Sequence, residues 1–155
     1  YARAPEPLDR LASRLRSAEA YVVVTPEYNH APSPALVNLL NHFGASLFAF
    51  KPSLIVSYSM GQWGGARAAA ALRPVLSEVG CIPVSAMLHV PRAHEAFDVQ
   101  GRPTDAAARW TSYAHRGLAQ LEWWGVAARN HKRLVDPTRA SPAFQTSPDE
   151  RNATA

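Results

Sequence analysis

Tyr21-Val22-Val23-Val24-Thr25-Pro26-Glu27-Tyr28-Asn29-His30-Ala31-Pro32-Ser33-Pro34-Ala35-Leu36-Val37 is the stretch from which the rest of the chain can be read. Its first residues form a continuous β-branched and aromatic run, the composition of a strand buried on both faces, as parallel sheets require. Pro26 is expected to end that strand, and the residues to Pro32 make a stiff loop. Leu36, Val37, Leu39, Leu40 and Phe43 then predict a helix over 34–43, with Ser33 as N-cap, Pro34 at the first position and Gly44 as its stop.

The same grammar extends in both directions. Upstream, Leu8, Leu11, Leu15 and Ala18 recur at helical spacing among Asp9, Arg10, Arg14 and Arg16, an amphipathic helix ending near Ala18. Downstream, Ser53–Ser57 reads as a second buried strand, Tyr58–Gly65 as a loop, and Ala66–Val79 as an alanine-rich helix stopped by Gly80. Val84–Val90 is a third strand, and 91–104 a loop with a turn at Asp98-Val99-Gln100-Gly101. Thr104 is expected to cap a long helix reaching about Arg129, with Trp110, Tyr113, Leu118, Leu121 and Trp124 along one side. Helix and strand alternate throughout, which predicts an α/β fold with a parallel sheet. Residues 1–135 are expected to form one domain, and the Pro/Ser/Thr-rich residues 136–155 an extended or disordered tail.

Composition narrows the function classes. At 155 residues and 47% hydrophobic the chain suits one domain with a buried core. Its longest apolar runs, Tyr21–Val24 and Ser85–Leu88, fall far short of the roughly 20 residues of a membrane span. The opening Tyr-Ala-Arg-Ala-Pro-Glu-Pro has no Met and no apolar h-region, so neither a signal peptide nor a natural start is expected there. A single cysteine, Cys81, gives no disulfide framework and no zinc spacing, which fits a small buried residue in a reducing cytoplasm. Of the net charge of +4, residues 1–100 carry eight basic and seven acidic groups, and residues 101–155 eight and five. No Lys/Arg run interleaves with aromatics, so no nucleic-acid groove is expected.

Two loops follow strands and precede helices, at the carboxyl edge where open α/β sheets bind ligands. The first is Pro26, Glu27, Tyr28 and Asn29; the second is Ser59, Met60, Gly61, Gln62, Trp63, Gly64 and Gly65. Glycines in the second let backbone approach a ligand and expose N–H groups. It has neither the P-loop lysine nor the G-x-G-x-x-G spacing of a Rossmann dinucleotide site.

Thr25-Pro-Glu-Tyr-Asn-His-Ala-Pro-Ser-Pro-Ala-Leu-Val-Asn and Ser59-Met-Gly-Gln-Trp-Gly-Gly-Ala-Arg-Ala, in this order and spacing, closely resemble the flavin loops of NADPH-dependent FMN reductases. The resemblance runs from about Leu8 to Trp124. It implies a flavodoxin-like open parallel sheet with helices on both faces, FMN as cofactor and NADPH or NADH as donor. It implies that the two loops flank the isoalloxazine ring, with backbone N–H groups of Glu27, Tyr28, Gly61 and Gln62 on its polar edge and Tyr28 and Trp63 as aromatic walls. The implied reaction moves hydride to flavin N5 and then electrons to a quinone, azo, metal or free-flavin acceptor; it needs no protein nucleophile, so no catalytic acid or base and no metal site is assigned. A homodimer or homotetramer is implied as well.

The family pattern also begins with a strand, a Gly-Ser-x-Arg-x-x-Ser loop that grips the FMN phosphate, a helix and a second strand, none of which is in this sequence. Three of five strands are recognisable, and the fold is expected to be N-terminally incomplete. In strand order 2-1-3-4-5 the Tyr21 strand would then lie on a bare edge, and FMN binding by these residues alone should be weak or absent. The alternative reading is a truncated or degenerate flavodoxin-like domain without cofactor, an interaction module or partial gene product.

Other residues receive plainer readings. His30 and His42 suit surface or capping positions, with a proton relay the sharper alternative for His30. His89 and His94, five apart across Pro91, form no helical metal pair. Arg67, a cation in a first helical turn, is either a surface residue or a phosphate, nicotinamide or subunit contact. Trp110, Trp123 and Trp124 suit core or dimer packing, and the sequon Asn152-Ala153-Thr154 is expected to be coincidental.

Overall fold

The β-branched run at Tyr21 does form a strand, and a longer one than its sequence suggests. The computed structural model describes residues 5–140. Within them the order is α1 (Glu6–Ser17), β1 (Tyr21–Tyr28), β2 (Ala31–Pro32), α2 (Pro34–Asn41), α3 (Ala45–Phe48), β3 (Pro52–Tyr58), α4 (Ala66–Glu78), β4 (Ile82–Val90), α5 (Ala93–Ala96), α6 (Ala107–Lys132) and α7 (Pro137–Ala140). The sheet runs β2-β1-β3-β4; β1, β3 and β4 are parallel, and β2 is antiparallel to β1.

Pro26 does not end β1. It sits in register with Tyr58 of β3, and an edge strand tolerates proline because one of its two rows of N–H groups has no ladder to serve. The strand then turns back through Asn29 and His30, both at positive φ (49° and 65°), pairing Tyr28 with Ala31 and Glu27 with Pro32. Positive φ at both central residues is what a two-residue type I′ hairpin requires. The expected stiff loop is therefore a β-hairpin, and the sheet is mixed rather than purely parallel.

Helices cover both faces. On one, α1, α2 and α4 pack around Val23, Leu40, Ile55, Leu72 and Leu76. On the other, α6 lies over β3 and β4, with Leu121 against Leu54 and Val84. It does not cover β1, so Val22 and Val24, expected to be buried, are 50% and 53% exposed, while Val23 and Thr25 point into the core. Residues 21–26 have a sheet neighbour on one side only.

Several boundaries differ from expectation for local reasons. Ser33 makes no side-chain cap; instead its N–H donates to Thr25 Oγ1 at 3.0 Å, tying the start of α2 to β1. Gly44 is the extended residue that precedes α3, not the stop of α2, which ends at Asn41. Thr104 donates its hydroxyl to the Glu95 carbonyl and caps nothing, and α6 starts three residues later behind Ala106, at φ 47°. The buried stripe of α6 is Gly117, Leu121 and Gly125; Leu118, Trp123 and Trp124 face outward, the two indoles meeting edge to face at 4.7 Å. Trp110 instead packs on Phe97, 5.3 Å between ring centres. Beyond Asp136, α7 adds one turn where an irregular tail was expected; the sequon and the other residues from 141 lie outside the described part.

At the sheet's other end, Lys51 is 8% exposed and donates to the Leu15 carbonyl (2.7 Å), the Arg16 carbonyl (3.0 Å) and the Tyr21 hydroxyl (3.0 Å). It serves the last turn of α1, whose carbonyls have no helical partner.

Candidate functional site

Because β1 and β3 are parallel and Pro26 pairs with Tyr58, the two candidate loops leave the same edge of the sheet side by side. Pro26 is the last rung of that ladder, Glu27 and Tyr28 enter the hairpin, and Asn29 is its turn. Ser59 to Gly65 span the connection from β3 to α4. All eleven residues are thus brought to one edge.

A carboxylate joins the loops. Glu27 lies across the start of α4, where its Oε2 accepts the N–H groups of Arg67 (3.2 Å) and Ala68 (3.3 Å). Its Oε1 accepts the Arg67 guanidinium, the Nε bond being 2.9 Å. A buried carboxylate supplied from a neighbouring strand thereby satisfies helix N–H groups that have no partner within α4. Burial alone would raise the Glu27 carboxyl; the Arg67 guanidinium, the Ala68 N–H and the Arg67 N–H outweigh it and hold the carboxyl below the usual carboxylate range. The role of Arg67 is therefore to pair with Glu27, a partner forty residues away that spacing alone could not reveal.

The glycine loop is fixed by the end of β4. Ser59 N–H donates to the Val90 carbonyl at 3.2 Å, Arg92 N–H to Gly61 at 3.1 Å and Ala93 N–H to Ser59 at 3.0 Å. Ser57 Oγ donates to the Gly64 carbonyl at 2.8 Å and lies 2.7 Å from His89 Nδ1. Burial pulls the His89 pKa down, favouring the neutral ring. Gly64 and Gly65 both stand at positive φ, and a Cβ on Gly64 would come within 2.8 Å of the Pro91 nitrogen and 2.9 Å of the Val90 nitrogen. Only glycine fits this close approach of two backbones.

What remains free is the outer part of the loop. Among the described residues, the N–H groups of Met60, Gly61 and Gln62 donate to no protein acceptor. Trp63 is 61% exposed and Tyr28 58%. Backbone donors beside aromatic surface, on a loop held rigid from below, suit a flat ligand with electron-rich edge atoms. Past Trp63 the surface continues into a cavity of about 440 Å³ shared with α6, reached by Arg109, Tyr113 and Arg116. Sequence reasoning did not connect those residues to the loops; the signal available was two arginines seven apart, on one face of a helix. His30 is exposed in the hairpin turn, and no cluster that could hold a metal ion occurs among the described residues.

The chain is similar to known proteins in both sequence and fold. Residues 2–95 match the family described as NADPH-dependent FMN reductase. The chain is 32% identical over 124 residues to an NAD(P)H-dependent FMN reductase of Pseudomonas aeruginosa, covering 77% of this chain and 66% of the relative. It is 40% identical over 75 residues to a quinone reductase of Escherichia coli, covering 46% of this chain and 40% of that one. It therefore spans less than two thirds of these relatives' length. Its fold superposes on FerB, a flavoenzyme NAD(P)H:(acceptor) oxidoreductase of Paracoccus denitrificans, with a TM-score of 0.66 and 26% identity over 84% of this chain and 71% of that one. With the family match spanning more than half of its length, the chain belongs to the NADPH-dependent FMN reductase family.

Proposed function

We propose that this chain carries the flavin-ring side of an NAD(P)H-dependent oxidoreductase that reduces a small acceptor such as a quinone, azo compound, metal ion or free flavin. The observation behind this reading is the set of unpaired N–H groups of Met60, Gly61 and Gln62, on a loop that Ser57 and the end of β4 hold in place. When bound, FMN supplies the chemistry, accepting a hydride from NAD(P)H and passing the electron pair to the acceptor.

The residues' share is binding and orientation. Gly61 and Gln62 would donate to the ring's polar edge, Trp63 and Tyr28 would flank it, and Pro26 and Asn29 would shape the hairpin on which Tyr28 rides. Ser59 and Met60 begin the loop, and Gly64 and Gly65 allow its close seat on β4. Glu27, through Arg67, keeps hairpin and loop at fixed separation. Holding two reactants in turn against one rigid surface is where such an enzyme gains most of its rate. A homodimer or homotetramer acting in the cytoplasm is part of this reading, supported by the outward-facing Trp123 and Trp124.

No Gly-Ser-x-Arg loop occurs in this sequence, so the reading assigns these residues the ring and not the phosphate of FMN. Fluorescence-quenching titrations with FMN and with riboflavin test both parts. Similar, weak affinity for the two is expected. Sub-micromolar FMN binding far tighter than that of riboflavin would overturn the division, and no quenching with either would overturn the flavin assignment.

A further inference from the structure

The amino end of the sheet, opposite the flavin loops, holds a second concentration of charge. A cavity of about 390 Å³ opens there between the last turns of α1 and α6, and five cations reach it: Arg16, Lys51, Arg129, Lys132 and Arg133. Glu19 is the acid among its lining residues and is turned to Arg129 at 3.3 Å. Among the described residues Arg16, Lys132 and Arg133 form no ion pair. Lys51 and Ser59 bracket β3, which at about 3.3 Å per residue sets this cavity about 25 Å from the glycine loop, apart from the ring site.

Helix ends do not account for all of this charge. The carbonyl ends of α1 and α6 contribute about half a negative charge each and Glu19 one more, which leaves a surplus of about three positive charges at pH 7. Lys51 registers the surplus from within: after burial, Lys132 is the next cause drawing its pKa down to about 8, and Arg16 adds to it. Arg129, Lys132 and Arg133 stand at i, i+3 and i+4, on one face of α6 within about 6 Å along its axis, and like charges so placed repel one another. A shared anion turns that repulsion into attraction.

The lining narrows the class of anion. A phosphate monoester carries about 1.5–2 negative charges, less than the surplus, whereas two adjoining phosphates come closer to matching it. Arginine forks and a lysine ammonium are the groups that hold phosphate oxygens. No aromatic ring lines the cavity, so a nucleobase has nothing to stack on and the phosphates carry the recognition. The walls come from α1, the residue before β3 and α6, a concave arrangement that admits a small molecule rather than a flat lipid surface. We propose that Arg16, Lys132 and Arg133 bind a soluble anion with two adjoining phosphates, the pyrophosphate class, with Arg129 and Lys51 as supporting charge. Arg129, Lys132 and Arg133 lie beyond residues 2–95, the part matching the family.

Calorimetric titration of the whole chain with inorganic pyrophosphate and with inorganic phosphate, at one ionic strength, tests the site. Pyrophosphate should bind about tenfold more tightly than phosphate, or better. Arg16→Gln, Lys132→Gln and Arg133→Gln should each weaken it about fivefold, the scale of one charged hydrogen bond near a protein surface, with an unchanged circular dichroism spectrum. Arg10→Gln, which removes the same charge from the first half of α1 and outside the cavity, should leave the affinity as it was. Equal affinity for the two anions, native affinity in all three cavity variants, an equal loss with Arg10→Gln, or no pyrophosphate binding would overturn the proposal. So would binding to phosphatidylcholine vesicles containing phosphatidic acid, lost in the cavity variants, without binding of pyrophosphate; the cations would then belong to a membrane contact. The flavin titrations bear on none of these outcomes, because the ring site lies at the other end of the sheet.

Discussion

Lys51 pairs burial with charge, and the combination has a measurable sign. Burial, and after it the nearby Lys132, draws its pKa down to about 8. An unfolded lysine stays protonated to about pH 10.4. Between pH 8 and 10 the unfolded chain therefore holds a proton at this site that the folded chain has released, so the contribution of Lys51 rises with pH across that window, against the opposite contribution of Cys81, whose thiol burial pushes up. Burial, then Cys81, pushes the Tyr21 phenol up, so it opposes the trend only above pH 10. The difference in urea midpoint between the native chain and Lys51→Met should shift in favour of the native chain as pH rises from 8 to 10. At Glu27 the sign reverses in acid: its folded pKa is lowered, so its contribution is complete above the unfolded value of about 4.3 and fades as pH falls through the folded one. Glu27→Gln should cost about 1–3 kcal/mol at pH 7, as expected for losing a charged hydrogen-bond acceptor. In a double-mutant cycle its effect should be far from additive with that of Arg67→Met. The sequence put Glu27 in the first candidate loop and Arg67 in the helix that follows the second; it could not show that they meet, because the contact depends on strand register.

Elements were readable where side-chain chemistry alone sets the backbone. The runs at 21–24, 53–57 and 84–90 became β1, β3 and β4, and the alanine-rich segment became α4 with Gly80 at φ 74° past its end. The one-turn helices α3, α5 and α7 and the strand β2 were missed because four residues or fewer carry no period. The face of α6 was misread for a different reason: its contact stripe contains glycine, which no hydrophobic pattern marks. A Cβ on Gly117 would fall 2.6 Å from Leu88 Cδ1 and 3.0 Å from Leu54 Cδ1, whereas one on Gly125 would meet Ala20 at an ordinary 3.7 Å. The same substitution should then act in opposite directions along one helix. Gly125→Ala should stabilise by up to about 1 kcal/mol through helix propensity. Gly117→Ala should destabilise by about 1 kcal/mol net, because overpacking against β3 and β4 exceeds that gain. Thermal or urea unfolding of the two variants gives the comparison.

At the scale of the molecule, the exposed surfaces decide how copies behave together. Val22 and Val24 lie bare on one face of an edge strand, and Trp123 and Trp124 stand out from α6. If the indole pair is the contact between subunits, the native chain should sediment well above 16.9 kDa, and the double variant Trp123→Glu, Trp124→Glu should sediment near that mass with an unchanged circular dichroism spectrum. A native chain that sediments as a monomer would remove the oligomer from the reading. The sequence indicated both loops of the candidate site and their common edge, but not the cavity beside them, whose walls come from three separate segments, 62–63, 89–91 and 109–116.

Each of β1, β3 and β4 leads, directly or through a short element, to a helix whose first turn lies at the carboxyl edge: α2, α4 and α6. Such an end carries roughly half a unit of positive charge, so the edge holding the loops is positive before any side chain is counted. The opposite edge is correspondingly negative, and there Arg16, Lys51, Arg129, Lys132 and Arg133 gather around one cavity, with Glu19 as the acid among its lining residues. The basic excess of residues 101–155 acquires a meaning in these terms. Part of it is a counterweight, set where α1 and α6 end, that balances the molecule's electric polarity at its far pole and leaves the near pole to draw anions toward the loops.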